Sequence, residues 1–423
     1  MTSKAQRKEC YVYITLPGQT TSVTAGRYVL TVDKRGLPTG RFVYGKRYLE
    51  RPDAVALDPV ELKLTPRVYK TIALNGVFGV LRDAGPDYWG RRIIERYSGK
   101  PDLSELDYLL FAPDDHAGAL GFGLNTTPPA PKRVFNQTLE LSKLQQIADT
   151  VINEEDLSPN IANNQVQDLL LIGTSMGGAR PKAVVEDREG LWIAKFNRAD
   201  DKWNQARVEH AMLILARRCG LTVADSKIVG IGGRDVLLVK RFDREKKPEG
   251  YLRARMISAL TLLHSEDTYQ SRDRWSYIFL VEELRRISAE PEKDATELFR
   301  RMCFNAFISN TDDHPRNHAF IAKEQSWKLS PAYDLTPSMP ISLERRDLAM
   351  ICGDQGRFAN VDNLLSQHAR FLLGHEQAKK TLTEMGNFIK KNWYAIARME
   401  GVSEGDCKKI ASAFVYPGLG FDS

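Results

Sequence analysis

Apolar and polar residues alternate in part through Tyr11–Leu16 and again through Arg27–Lys34, and both stretches are rich in Val, Tyr, Ile and Thr, which predicts two strands. Gly18, Gly26 and Pro38-Thr39-Gly40 punctuate them. A further strand is expected at Thr71–Leu74, followed by Asn75-Gly76, a dipeptide that favours a tight hairpin. After Pro86 the pattern turns helical. Asp87–Glu95 reads as one helix and Ser104–Phe111 as a second, with Ser104 as its N-cap. Ala117–Phe122 reads as a strand, Thr126–Lys132 with its three prolines as a loop, and Leu139–Asp149 as a helix.

Lys182–Glu186 and Leu191–Phe196 predict a hairpin around Glu189-Gly190. Asn204–Cys219 is expected to be helical, with Val208, Ala211, Met212 and Leu215 on one face and Gly220 as its stop. Val236–Val239 reads as a buried strand that runs into Lys240-Arg241-Phe242-Asp243. Beyond it helices dominate. Ala295–Ser309 places Ala295, Leu298, Phe299, Met302, Cys303, Ala306 and Phe307 on one stripe, and further helices are expected at Leu364–Leu373, Lys379–Met399 and Glu404–Ala413. The expected architecture is α+β and two-lobed. Residues 1–239 form a strand-rich lobe, with subdivisions at about 1–130 and 150–239, and residues 240–423 an all-helical lobe.

Composition narrows the class. The chain has 423 residues, 42% hydrophobic and 27% charged. That excludes a disordered or fibrous chain. The net charge of +6 permits an anionic partner without demanding one. Five scattered cysteines form no CxxC pair, which argues against a disulfide framework and against a cysteine zinc site. The first residues show no secretory signal pattern, and no apolar run is long enough to span a bilayer. A bacterial cytoplasmic protein with no membrane partner is expected.

The sharpest chemical segment is Asn310-Thr311-Asp312-Asp313-His314-Pro315-Arg316-Asn317. Asp312 and Asn317 have the five-residue spacing of kinase catalytic loops, in which the Asp receives the acceptor hydroxyl proton and the Asn binds Mg²⁺. Strands at Ala319–Ala322 and Trp327–Leu329 are expected to form a hairpin that returns Asp334 beside Asn317, as a second oxygen ligand for Mg²⁺. Gly173-Thr174-Ser175-Met176-Gly177-Gly178-Ala179-Arg180-Pro181-Lys182 is a glycine-rich loop able to turn backbone N–H groups onto phosphates, although it is not a Walker A loop. Lys195, in the strand that follows, suits an α/β-phosphate ligand, the alternative being a lysine on an exposed strand face, and Glu209 in the next helix either orients it or is simply solvated. His314 and His318 are four apart. With Pro315 between them and no H-E-x-x-H pattern, zinc is not expected, and His314 joins the catalytic loop as an orienting residue.

Together these residues resemble the HipA family, the serine/threonine kinase toxins of bacterial type II toxin–antitoxin systems. The likeness runs from about residue 20 to residue 400. It includes Gly85-Pro86-Asp87-Tyr88-Trp89-Gly90-Arg91-Arg92, Asp114-Asp115-His116-Ala117-Gly118-Ala119-Leu120, Lys240-Arg241-Phe242-Asp243-Arg244 and Leu329-Ser330-Pro331-Ala332-Tyr333-Asp334-Leu335. The resemblance implies a fold similar to phosphoinositide-3/4-kinase-like enzymes, with ATP bound between the lobes. It implies Asp312 as catalytic, Asn317 and Asp334 as Mg²⁺ ligands, and Lys195 on the ATP phosphates. Ser175, Gly177, Gly178 and Lys182 would belong to the ATP loop, with Ser175 autophosphorylated, and Lys240–Phe242 would meet the adenine. The implied substrate is an aminoacyl-tRNA synthetase, glutamyl-tRNA synthetase first. The implied partner is a helix-turn-helix antitoxin of the HipB type, which carries the protein to operator DNA. A small-molecule or lipid kinase, and a non-enzymatic co-repressor, are the rival readings.

Overall fold

A computed structural model describes residues 6–99, 103–112, 115–131, 135–152, 180–339 and 342–421. The chain divides into two compact units. The first comprises Met1–Ala194, Arg241–Thr261 and Ile321–Ser326; the second comprises Lys195–Lys240, Leu262–Phe320 and Trp327–Ser423.

The first unit opens with strands β1 (Gln6–Thr15), β2 (Ser22–Val32), β3 (Pro38–Tyr44), β4 (Tyr69–Thr71) and β5 (Leu120–Gly123). They form an antiparallel sheet in the order β4-β3-β2-β1-β5. Val12, Ile14, Tyr28, Leu30, Phe42 and Tyr44 fill its buried face. The hairpin expected at Asn75-Gly76 does not form. Asn75 adopts φ 57° inside a 3₁₀ turn, Leu74–Gly76, that leads into helix α1 (Gly79–Ala84). Close packing explains this. A Cβ at Gly40 would lie 1.7 Å from the Gly76 carbonyl oxygen, so the turn lies flat on β3, and Tyr28 Oη donates to that same carbonyl at 2.7 Å.

Helix α2 (Tyr88–Ser98) starts at its N-cap Asp87, whose side chain accepts from the Gly90 N–H. It stops where Gly99 takes the left-handed conformation. Helix α3 (Glu105–Phe111) has the expected Ser104 cap, in a capping box with Asp107. Strand β6 (Asn136–Gln137) precedes helix α4 (Leu141–Ile152) and lies parallel to β7 (Lys182–Asp187), and β8 (Gly190–Phe196) lies next to β7.

In the second unit, helix α5 (Gln205–Arg218) begins at Asn204, which caps Arg207 N–H. Strands β9 (Ser226–Ile231) and β10 (Arg234–Lys240) pair antiparallel. The chain then returns to the first unit as the hairpin β11 (Arg244–Lys247) and β12 (Gly250–Arg253), followed by β13 (Arg255–Ser258). The segment beyond residue 240 is therefore not all helical, and contacts do not follow a single cut at 239/240. The hairpin escapes pattern reading because β11 is almost wholly exposed and carries no apolar alternation.

The start of this return is buried and ionic. Arg241 Nη2 and Arg244 Nη1 contact Asp243 Oδ2 at 2.8 and 2.7 Å, and the Gly118 N–H donates to the same oxygen at 2.9 Å. Arg241 also donates to the carbonyls of Asp115 and His116, both at 2.8 Å. Burial opposes ionisation of Asp243, but the two guanidinium groups outweigh it and hold the carboxyl far below its usual range. Two of the sequence motifs, Asp115–Gly118 and Arg241–Arg244, thus meet as one structural joint.

The remainder of the second unit contains helices α6 (Tyr277–Ile287) and α7 (Pro291–Phe307), the first two residues of strand β14 (Ala319–Ala322), strand β15 (Lys328–Leu329), and helices α8 (Val361–Ser366), α9 (His375–Met399) and α10 (Glu404–Ile410). All seven residues of the predicted α7 stripe are fully buried. Phe307 packs so close to α9 that a Cβ at Gly386 would sit 2.7 Å from its ring. The helix expected at Leu364–Leu373 is instead α8 and a 3₁₀ turn, His368–Phe371, separated at Gln367. No helix among the described residues is long and apolar enough to cross a membrane.

Candidate active site

The candidate residues collect in the second unit around the segment that follows α7. Ser309 ends that helix in a left-handed conformation, φ 49°, and turns the chain into Asn310–Asn317. Pro315–Asn317 forms one 3₁₀ turn capped by His314, whose Nδ1 accepts from the Arg316 N–H at 3.0 Å. The Asn317 N–H donates to the His314 carbonyl at 2.7 Å, and its Nδ2 donates to the Asp312 carbonyl at 3.4 Å. The five-residue spacing therefore closes into a loop that sets Asp312 and Asn317 side by side.

Asp334 arrives by the expected hairpin. The Ser330 N–H donates to the Ala319 carbonyl at 2.8 Å, and Tyr333 Oη donates to the Arg316 carbonyl at 2.7 Å. Asp334 itself is left-handed, φ 59°, a strained choice for a non-glycine residue that surrounding contacts must maintain. Lys195 is the one partly open residue of β8. Its Nζ donates to Glu209 Oε1 at 2.6 Å and to Asp334 Oδ1 at 2.7 Å. Burial alone would lower the ammonium pKa, but Asp334 and Glu209 outweigh it and hold Lys195 above the ordinary lysine value. Asp312 moves upward from its ordinary value. Partial loss of hydration is the larger cause, and the like charge of Asp334 adds to it.

His314 has both ring nitrogens occupied. Nδ1 accepts from Arg316, and Nε2 lies 3.0 Å from Asp267 Oδ1, whose other oxygen accepts from Arg316 Nε at 3.0 Å. Trp275 meets the imidazole edge-on with 4.3 Å between ring centres. These contacts make His314 a loop-orienting group. The hydrogen bond with His314 is the main cause that holds Asp267 at a pKa of about 2, against burial. Asp267 is absent from the sequence expectations. It stands in a polar stretch without periodicity, 47 residues before His314.

Other expected ligands fall elsewhere. Lys182 is 3% exposed, and its ammonium is paired with Asp87, the α2 N-cap. It is buried in an ion pair rather than open to a phosphate. The Lys240 N–H donates to the Asp225 carbonyl at 2.7 Å and the Arg241 N–H to the Leu191 carbonyl at 2.9 Å. Neither amide is left for an adenine edge. Phe242 is half-buried beside Asp243 and Arg244. Ser175, Gly177 and Gly178 lie outside the described residues.

Among the described residues no cluster of three or more His, Cys, Asp or Glu side chains forms a metal cage. A Mg²⁺ ion shared with substrate phosphates needs only one or two protein oxygens. Asp334, which already raises the Asp312 pKa by its charge, and Asn317 beside Asp312 fit that more modest role.

A lysine held by a helix glutamate, an exposed aspartate and an asparagine five residues beyond it compose the parts used for phosphoryl transfer. Residues 174–393, just over half of the chain, match the HipA-like C-terminal domain family, and the chain belongs to that family. It is 28% identical over 165 residues to the Sinorhizobium fredii protein named "Putative kinase Y4mE", covering 36% of this chain and 37% of that protein. It is 25% identical over 188 residues to a Haemophilus influenzae protein named "Putative kinase", covering 40% and 54%. The chain thus spans only 37–54% of these curated relatives. The structure superposes on HipA of Shewanella oneidensis, solved with HipB and its operator DNA, with a TM-score of 0.70. That match covers 96% of this chain and 94% of the other at 17% identity, and it establishes a mixed α/β HipA fold.

Proposed function

We propose that this protein transfers the γ-phosphoryl group of ATP to a serine or threonine hydroxyl of a protein. The observation that carries this reading is the Lys195 ammonium held between Glu209 and Asp334, with the Asp312 carboxylate close enough to feel the charge of Asp334. In the reaction the acceptor oxygen bonds to the γ-phosphorus, the bond to the bridging oxygen of ADP breaks, and the hydroxyl proton passes to Asp312. A carboxylate with a raised pKa is a better base for that proton. Lys195 binds and orients the phosphates. Asn317 and Asp334 would hold Mg²⁺, which when bound offsets charge on the transferred group.

The finer parts of this reading draw on the family. They are a phosphoinositide-3/4-kinase-like lobe plan, an aminoacyl-tRNA synthetase as acceptor, glutamyl-tRNA synthetase first, and inhibitory autophosphorylation at Ser175. A helix-turn-helix antitoxin of the HipB type and its operator DNA are the proposed partners. The HipA–HipB–DNA assembly of the Shewanella relative supports this choice.

The test is incubation with labelled ATP and Mg²⁺, with and without a bacterial lysate, beside Asp312→Ala. Label on a lysate protein and on the chain itself, absent with the variant, is the expected result. Label appearing only in lipid or metabolite moves the acceptor to a small molecule. Full transfer by Asp312→Ala removes the assignment.

A further inference from the structure

Immediately after Asp312 the chain turns inward, and Asp313 is 1% exposed. Its carboxylate accepts from the Tyr277 hydroxyl on α6 and from His318 Nε2 at 3.1 Å. Both donors are buried, and their rings meet edge-on at 5.4 Å. His318 Nδ1 has no hydrogen-bond partner among the described residues, and the ring turns its Nε2 to Asp313. The network continues. Tyr277 Oη accepts from Asn305 Nδ2 at 3.1 Å, and Asn305 Oδ1 accepts from Asn310 Nδ2 at 3.1 Å. The Asn310 N–H also donates to the Asn305 carbonyl at 2.8 Å.

The loop is therefore tied at Asn310, at Asp313 and at His318 to helices α6 and α7. Asp312 lies between the first two ties. A buried carboxylate with no Lys or Arg ion pair among the described residues is a costly way to fill space; apolar side chains of similar volume pack more cheaply. What it supplies is a single hydrogen-bonded arrangement. We propose that Asp313, with Tyr277 and His318, is a positioning unit that fixes Asp312 in its working geometry before nucleotide or acceptor arrives. This rests on the reading of Asp312 as the carboxylate at the acceptor hydroxyl.

Misplacing a reacting group by about 1 Å costs on the order of 100-fold in rate. In the full chain, Tyr277→Phe is expected to lower kcat by about 10–100-fold while KM for ATP stays within about twofold. His318→Gln keeps an N–H donor and is expected to retain most of the activity that His318→Leu loses. The Tyr277→Phe/His318→Leu pair is expected to lose less than the product of its single losses, because both act through one carboxylate. Folding is followed by thermal melting. Unchanged kcat in folded Tyr277→Phe, or equal activity of folded His318→Gln and His318→Leu, overturns the inference. Should Tyr277→Phe not fold, the two His318 variants decide alone. Asp312→Ala separates the two levels. If it is inactive while Tyr277→Phe turns over normally, only the positioning role falls; if it stays active, the reading of Asp312 falls.

Discussion

Asp334 Oδ1 accepts a 2.7 Å hydrogen bond from Nζ of Lys195, a residue 139 positions earlier in the chain. The same ammonium binds Glu209, so one positive charge serves two carboxylates. Asp334 is held in a left-handed backbone conformation and repels Asp312. A divalent cation held near Asp334 and Asn317, as the proposed function requires, would offset that repulsion.

Lys195→Ala leaves Glu209, whose side chain is largely buried, without its cation. Losing one partner of a buried pair is costly, and partial solvent access to Lys195 moderates the loss to about 1–3 kcal/mol of stability. Phosphoryl transfer should fall by about 100-fold or more, since the phosphate-orienting charge goes with it. Thermal melting and labelled-ATP turnover check both effects. A stable variant with wild-type turnover would remove Lys195 from the site.

His314 separates orientation from proton transfer. His314→Asn preserves an acceptor able to cap the Arg316 N–H, as His314 Nδ1 does. Activity within about tenfold of wild type is expected, against the 10²–10⁴-fold typical when a general base is removed. A loss matching that of Asp312→Ala would return His314 to the chemical step.

Much of this site can be read from local spacing, because Asp312, Asn317 and the hairpin to Asp334 lie within one stretch of chain. Glu209 was also legible, from a helix directly after the Lys195 strand. The failures share a cause. Lys182 resembles a phosphate lysine until folding brings Asp87 to it across 95 residues. Asp267 clamps His314 and Arg316 from a segment with no periodic pattern. Asn75-Gly76 carries hairpin residues, yet its conformation is decided by the approach of Gly40 on another strand. Long-range partners, unlike periods and caps, leave no local mark.

Lys182 offers a direct test of that point. Lys182→Met should destabilise the protein by about 3–5 kcal/mol, because it strands a buried carboxylate. Adding Asp87→Asn removes the stranded charge and keeps an oxygen to cap the Gly90 N–H. The double variant should therefore melt well above the single one. Its affinity for ATP, measured by calorimetry, should match wild type. A stable double variant with weakened ATP binding would make Lys182 a nucleotide ligand after all.

Asp58 ties stability to pH. It is fully buried, and its Oδ1 accepts from the N–H groups of Val60 and Glu61, both at 2.6 Å. Burial outweighs these hydrogen bonds and raises the carboxyl pKa from 3.8 to about 6. Below about pH 4 both folded and unfolded chains are protonated here. Between about pH 4 and 6 the folded protein keeps a proton that the unfolded chain releases, so the Asp58 contribution is lost as pH rises through the folded value. Two pKa units correspond to about 3 kcal/mol. Asp58→Asn cannot ionise and retains the Oδ1 acceptor. Urea unfolding of the two proteins should give similar stabilities at pH 4 and favour Asp58→Asn by about 2–3 kcal/mol at pH 8. Comparing the pair cancels the titration of distant carboxylates. A difference that stays constant from pH 4 to 8 would show that folding does not raise the Asp58 pKa, with the Val60 and Glu61 amides offsetting its burial.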